Sequence, residues 1–543
     1  MCTDDTNPVL CGRRRWGSWG RISVISVTIS GISGSEREKH EMSLLGIDVG
    51  TTGCKAVAFN VEGRILASAY REYPLLSPQP GWMELDAHQV TEAIKAVIRE
   101  AAGATRSDPI RALSVSSQGE AAVPLSQDGE ILYNTPISFD TRTTEIAEWW
   151  GTQLSPEEIF GITGMPLHPM HTISKMMWLR EHESDVFKRV WKFLCYEEYV
   201  FYLLGVPPIT DYSLAARRMA FDVREKRWSQ RMLEIAGVDD QLFPDVAPSG
   251  TAVGTVSDHA AAEFGLPKGV AAVTGGHDQL CNALGSGVIE KGMAAYGVGT
   301  VECITPTFER CPGDIKGMLR NNFTCYPHVV PGLQVTLAFN FTGGCLLRWY
   351  RDTFGEMERQ EAGRRGVDPY EIIVSDLPEM PARVMALPHF TMTGTPHFDT
   401  HAKGVLMGLT LETTKADIVK AILEGVTFEM KLNVELLEQA GILIRSMRIT
   451  GGGAKSKTWV QLKADIMGKP IASLHVSEGT SAGAAILAGL GIGAFDSVEE
   501  AVAQWVKVKE VFEPDPKKHA PYEERFEIYK KIYPAVKGIN HLL

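Results

Sequence analysis

Apolar positions along this chain follow two rhythms: short runs that stop at glycine-threonine corners, and longer stretches with helical spacing. Leu44 to Val49 and Cys54 to Phe59 flank Gly50-Thr51-Thr52-Gly53, which predicts a strand, a tight turn and a returning strand. A third strand is expected over residues 64–73, after the turn Asn60-Val61-Glu62-Gly63. From Asp86, a suitable N-cap, Val90, Ile94, Val97, Ile98 and Ala101 recur on one helical face. A strand at Ala112 to Val115 runs into Ser116-Ser117-Gln118-Gly119-Glu120, and a helix-rich region is expected over about 141–250. Gly269 to Thr274 reads as a buried strand ending in Gly275-Gly276-His277-Asp278-Gln279. A second hairpin is predicted over 293–304, turning at Gly297-Val298-Gly299-Thr300. Met447 to Thr450 then reads as a strand, Gly451-Gly452-Gly453-Ala454-Lys455-Ser456 as a bend, and Trp459, Leu462 and Ile466 as one face of a helix ending near Gly468. A small-residue helix follows Ser477-Glu478-Gly479, suited to close packing under a site.

The chain has 543 residues, too many for one core, so at least two domains are expected. A net charge of -12 argues against non-specific binding to nucleic acid or to anionic membrane. The nine cysteines are scattered, with no C-x-x-C pair, which suits a reducing, cytoplasmic setting and gives no zinc site. Residues 1–41 differ from the rest: Arg13-Arg14-Arg15 precedes a Ser/Thr-interrupted run too short and polar to span a bilayer. They read as a dispensable tail, with Met42 as an alternative true first residue. No later stretch reads as a transmembrane helix.

Three places offer chemistry. At the first corner, backbone N–H groups and the hydroxyls of Thr51 and Thr52 converge without bulk, which suits a polyphosphate. Asp48 beside them is placed to hold Mg2+ through water. Gln118 and Glu120 follow a strand end, where α/β sheets bind ligands, and are substrate-contact candidates. Asp278, delivered at a glycine corner by a strand, suits a positioned general base, and His277 carries no assigned role. Neither G-x-x-x-x-G-K-[ST] nor a G-x-G-x-x-G opening a helix is present, so any ATP site belongs to another fold.

Taken in order, these motifs resemble the FGGY family of carbohydrate kinases, and the resemblance runs from about Leu44 past residue 500. It is carried by Gly46-Ile47-Asp48-Val49-Gly50-Thr51-Thr52-Gly53-Cys54-Lys55, by the K-x-x-W of Lys175 to Trp178, and by Thr210-Asp211-Tyr212-Ser213-Leu214-Ala215. It continues through Gly404 to Leu409 with Ala421 to Gly425, and through GGGAKSKTWVQLKADIMG at 451–468. The resemblance implies an α/β, two-domain ribonuclease H-like fold of the actin and hexokinase type, with an interdomain cleft. A sugar-binding domain is expected over 42–290 and a nucleotide-binding domain over 291–543. It also implies Asp278 as catalytic base, Asp48 as the acid near Mg2+, and Gln118, Glu120 and Gln279 as sugar contacts. Thr51, Thr52 and Lys55 at the first turn, Thr300 at the second, and Gly344, Gly452, Gly453 and Ala454 fall at nucleotide contacts. The implied partners are ATP and a small sugar; a homodimer stays open. Glycerol kinases carry N-Q-R-E where this chain has Ser117-Gln118-Gly119-Glu120, which argues against glycerol. Xylulokinases carry Q-M-H there, also absent, and Phe139 stands where many members have Trp. A ketopentose such as xylulose is the favoured acceptor, with other ketoses, polyols or aldonates open, as is a non-kinase ATPase or sensor of the same superfamily.

Overall fold

A computed structural model describes residues 42–475 and 478–543; the expectation for residues 1–41 lies outside them. At the first corner, β1 (Ser43–Val49) and β2 (Gly53–Asn60) pair antiparallel with Asp48 opposite Lys55. The Gly50 N–H donates to the Gly53 carbonyl at 3.0 Å and closes the turn. β3 (Ile65–Glu72) completes the meander. The expected amphipathic helix is α1 (Ala87–Ala104): the Asp86 carboxylate accepts from the N–H groups of His88 and Gln89, and Val90, Ile94, Val97, Ile98 and Ala101 are all buried. β4 (Ile110–Ser117) lies parallel to β1. The helix-rich stretch that follows returns through the edge strand β5 (Ala252–Thr255) to β6 (Ala271–His277), which lies parallel to β4. The sheet order is β5-β6-β4-β1-β2-β3.

This order aligns three strand ends. Asp48 registers with Ser116 and Ser116 with Gly276, so Asp48, Gln118 and Asp278 emerge along one edge of the sheet. Ligand sites in open α/β sheets form beyond such carboxyl ends.

Immediately after β6, α2 (Asp278–Gly285) begins with the candidate base as its first residue. The second half then repeats the plan of the first. β7 (Met293–Val298) and β8 (Glu302–Phe308) form an antiparallel hairpin. β9 (Ser446–Thr450) lies parallel to β7. After α3 (Lys457–Met467), β10 (Ile471–Leu474) lies parallel to β9. Beyond α4 (Gly479–Gly491), β11 (Val508–Phe512) closes the edge antiparallel to β10. The faint echo between the two glycine-threonine corners in the sequence is thus an equivalence of topology.

The halves also exchange helices. α4, from the second half, lies on β1, β4 and β6 of the first sheet, while α2 reaches the second through Asn282 Nδ2 to Thr450 Oγ1 at 3.3 Å. Small residues permit this. A Cβ on Gly46 would lie 1.9 Å from the Ser481 carbonyl oxygen, and one on Gly483 would lie 1.9 Å from that of Cys281. Among the described residues, no helix is long and apolar enough to cross a membrane.

Candidate active site

Asp278 is half-buried at the start of α2, and several elements fix its place. The Asp211 carboxylate caps the short helix Tyr212–Ala216, accepting from the N–H groups of Ser213 and Leu214. The Ser213 hydroxyl in turn accepts from the His277 N–H at 2.9 Å. Two residues earlier on β6, buried Glu197 accepts from the Gly275 N–H at 2.6 Å and from that of Asp211 at 3.0 Å. The T-D-x-S segment therefore pins the backbone on which Asp278 sits. His277 Nε2 lies 3.3 Å from Asp278 Oδ1, and its Nδ1 lies 3.3 Å from the Tyr326 hydroxyl. Burial lowers the His277 pKa, which favours a neutral ring able to relay between the two.

Asp48 faces Asp278. Burial, and then the negative charge of Asp278, push its carboxyl up to about 7, with Lys55 pulling the other way. Its Oδ1 is sealed from solvent and finds no hydrogen-bond partner among the described residues. An orphaned carboxylate oxygen beside a second carboxylate suits a divalent cation, which would satisfy the lone pairs and offset the repulsion. No three His, Cys, Asp or Glu side chains converge as a cage among the described residues. Such a donor set fits Mg2+, which takes one or two carboxylates and completes its shell with water and phosphate oxygens. On the other side, Asp278 contributes to raising the Cys303 thiol of β8, whose largest cause is burial. The helix that Asp278 opens also touches both strands of the second hairpin.

Around the first turn, Thr51 is half-buried and Thr52 exposed. Lys55 Nζ pairs with Glu478 at 2.7 Å, just before α4, so a phosphate here would compete with that carboxylate. Around the second turn, Thr300 is exposed and its carbonyl accepts from the Gly343 N–H at 3.0 Å, while the Gly344 N–H donates to Gly299 at 2.8 Å. The glycine run crosses the same turn: a Cβ on Gly451 would lie 2.5 Å from the Val298 carbonyl oxygen, and one on Gly453 2.2 Å from Val298 Cγ1. Gly452 faces open space, and Ala454 packs on the second core. Thr300, Gly344, Gly452, Gly453 and Ala454 are thus assembled at one corner. Beneath it, buried Lys463 of α3 pairs with Glu302 at 2.8 Å and donates to the Tyr296 hydroxyl at 2.8 Å, tying the helix of the glycine motif to the hairpin.

The sugar-side candidates divide. Gln279 stands half-buried beside Asp278. Gln118 and Glu120 are instead buried and engaged within the protein. The Gln118 amide donates to the Gly50 carbonyl at 3.2 Å and accepts from the Thr51 hydroxyl at 3.3 Å, so it braces the first turn. Glu120 accepts from Ser138 and from Arg217 Nε, the latter at 2.6 Å. Burial opposes its charge, but Arg217, His277, Ser138 and Lys175 outweigh that and hold it at about 2.

Arg217 carries no signal of its own in the sequence, although it stands two residues beyond the T-D-x-S-x-A segment. A Cβ on Gly119 would lie 2.9 Å from Arg217 Cγ. The space beside Gly119 is thus taken by the aliphatic stem of Arg217 and by His277 Cδ2 at 3.0 Å, while the guanidinium reaches on to Glu120. It lies over the Tyr326 ring at 5.6 Å. The K-x-x-W signature is scaffold: Lys175 Nζ donates to the carbonyls of Glu120, Pro136 and Ile137 at 3.0–3.2 Å, and Trp178 packs edge-on against Trp82.

Two sheets of one plan, each with a glycine-threonine hairpin, define a two-domain α/β fold of the actin and hexokinase type. The N-terminal domain model of the FGGY family of carbohydrate kinases matches residues 43–285, and the C-terminal domain model of that family matches residues 315–492. The chain belongs to this family and is an ATP-dependent carbohydrate kinase. It is 31% identical to a xylulose kinase of Staphylococcus epidermidis, over 92% of this chain and 97% of that one. It is 29% identical to the xylulose kinase of Bacillus subtilis, over 92% and 98%. An autoinducer-2 kinase of Escherichia coli is 28% identical over 91% and 95%. Among solved structures, the ligand-bound xylulose kinase of Lactobacillus acidophilus superposes with a TM-score of 0.83 at 25% identity, covering 91% of this chain and 98% of that one.

Proposed function

We propose that the protein transfers the γ-phosphoryl group of ATP to a hydroxyl of a ketopentose such as xylulose, with Asp278 as general base. The reading is supported by one observation: Asp278 is half-buried at the strand end aligned with that of Asp48, on a backbone pinned by Ser213 and Glu197. The sugar hydroxyl gives its proton to Asp278 as its oxygen attacks phosphorus in line with the departing ADP oxygen. His277, between Asp278 and Tyr326, orients the carboxylate. The amides and hydroxyls of the turns at Thr51-Thr52 and Thr300 hold the phosphates, Gly344 and the run Gly452, Gly453 and Ala454 take the nucleoside end, and Gln279 contacts the sugar. Mg2+ held at Asp48 would neutralise charge on the phosphate oxygens. Residues 42–290 would form the sugar lobe and 291–543 the nucleotide lobe, acting in the cytoplasm.

Xylulose kinases among the relatives favour a ketopentose, and the autoinducer-2 kinase match supports a second reading in which the acceptor is another small polyol or ketose. Asp278→Asn should retain ATP affinity and lose about 10²–10⁴-fold in kcat; wild-type turnover would refute the base. An ADP-release screen over pentuloses, hexuloses, polyols and aldonates identifies the acceptor, and preference for anything but a pentulose would overturn the substrate assignment.

A further inference from the structure

Away from the candidate active site, the second half holds a cavity of about 360 Å³, within the size class of small-molecule sites. Four segments meet around it: the end of the helix Ile315–Arg320, the loop at Pro396-His397, the helix Lys415–Gln439, and the joint between the helices Pro516–Tyr529 and Ile532–Asn540. None of its lining residues belongs to the site built around Asp278. One lining group is a buried carboxylate. Glu429 is 2% exposed, its Oε2 accepts from the Tyr529 hydroxyl, and the same oxygen lies 3.2 Å from Nε2 of buried His389. Burial opposes its charge, but His389, Tyr529 and His397 outweigh that and lower its pKa. Both contacts fall on Oε2, which leaves Oε1 to accept from a ligand.

Arg320, also on the lining, is exposed and has neither an ion pair nor a hydrogen bond from its side chain among the described residues. Lys530 beside it on the lining is by contrast held by Glu435 at 3.2 Å and by Glu527 at 2.7 Å. An unpaired guanidinium suits a phosphate, which it can grip with two parallel hydrogen bonds. Leu436 and the Tyr533 ring, which stacks on His397 at 4.0 Å, add apolar surface. A bare anion would meet the charge of Glu429, and a neutral sugar would leave Arg320 unused. A molecule with a phosphate and several hydroxyls answers both. The loop on the lining leads further: the Thr395 carbonyl accepts from Asn433 Nδ2 at 2.8 Å, and Phe398, next to His397, packs on Phe339 at 5.5 Å and on His168 of the first half at 4.7 Å.

We propose that this cavity is a second site, for a phosphorylated sugar, with the phosphate on Arg320 and the sugar hydroxyls donating to Glu429. The occupant packs against His397 and so steadies the loop whose Phe398 touches the first half. This goes beyond the proposed reaction: the ligand binds whether or not it is this enzyme's own product, and the site does not depend on Asp278 being a base.

The test follows hydrogen–deuterium exchange of the full chain while ribose 5-phosphate is titrated, with ribose alone and inorganic phosphate as separate arms. Ribose 5-phosphate should slow exchange in peptides covering 316–322, 395–399 and 529–534, and in the segment around His168, where equal concentrations of ribose or phosphate do not. Arg320→Ser, at an exposed position, should raise the concentration needed at least about 10-fold, the loss of a charged hydrogen-bonding partner. Leu436→Trp, which fills the cavity, should abolish the protection. Both variants should keep wild-type kcat and KM when no sugar phosphate is added. Because exchange is read without turnover, this result is separate from the outcome for Asp278. Protection confined to peptides around Asp278, protection of the cavity that Arg320→Ser retains in full, or equal protection by phosphate alone, an adventitious ion only, or by ribose alone would each overturn the proposal. Protection of the cavity that leaves the His168 segment unchanged would overturn its link to the first half.

Discussion

Two carboxylates that repel each other are costly unless a cation joins them, and Asp48 and Asp278 carry that conflict. Burial, and then the Asp278 charge, push the Asp48 carboxyl up to about 7 in the folded chain from an ordinary value of 3.8. Between these values the folded state binds more protons than the unfolded one, so stability falls as pH rises through that window and stays low above it. Asp48→Asn removes the penalty: its Tm gain over wild type should grow from about pH 4 to about pH 7 and level off above, while kinase activity is lost. Thermal melts across pH check the first part, and a gain that does not vary with pH would show that the Asp48 charge is not its source. Arg217 poses the opposite problem. Removing it leaves Glu120 buried without its ion-pair partner and with the Ser138 hydroxyl as its remaining hydrogen-bond donor, a loss of about 3–5 kcal/mol. Arg217→Met should therefore lower Tm sharply. The pair Arg217→Met with Glu120→Gln should recover most of the Tm, yet keep a raised sugar KM; recovery of both would mean the pair is scaffold alone.

At the scale of elements, the two hairpins, the helix from Asp86 and the glycine motif are legible in the sequence because each is local: turn chemistry, a cap and a periodicity sit within one window of residues. Gln118 and Glu120 fall at the expected strand end, but their partners, Gly50 and Arg217, arrive from other elements, and no local pattern reveals whether a polar side chain is open or already engaged. Arg217 is illegible for the same reason, since its space exists only because Gly119, far earlier in the chain, lacks a side chain. Lys463 falls inside the glycine motif, yet its meaning comes from Glu302 on β8. Replacing both, Lys463→Met with Glu302→Gln, avoids a stranded charge and uncouples α3 from the second turn. ATP KM should rise about 10-fold with sugar KM unchanged; equal effects on both would point to general loosening.

Across the whole molecule, helix exchange makes the base of the cleft stiff: α4 lies on the first sheet through backbone contacts that only glycine allows. The mouth is held differently. Phe139, 36% exposed, meets Phe341 edge-on at 5.2 Å, and Phe341 begins the loop that carries Gly343 and Gly344 to the second turn. Phe341 continues to Phe339 at 5.1 Å, then to Phe398 and His168, so an aromatic row runs from one half to the other and back. A stiff base and a mouth joined by rings suit a hinge that shuts over its substrates, and shutting expels the water that competes with the sugar as acceptor. Phe139→Ala removes the first ring of the row without touching Asp278. Water should then reach the γ-phosphate more often, so that ADP release exceeds sugar phosphate formed, while wild type keeps the two equal. Measuring both products in one reaction decides it: a variant that still forms one sugar phosphate per ADP would show that the ring contact does not seal the cleft.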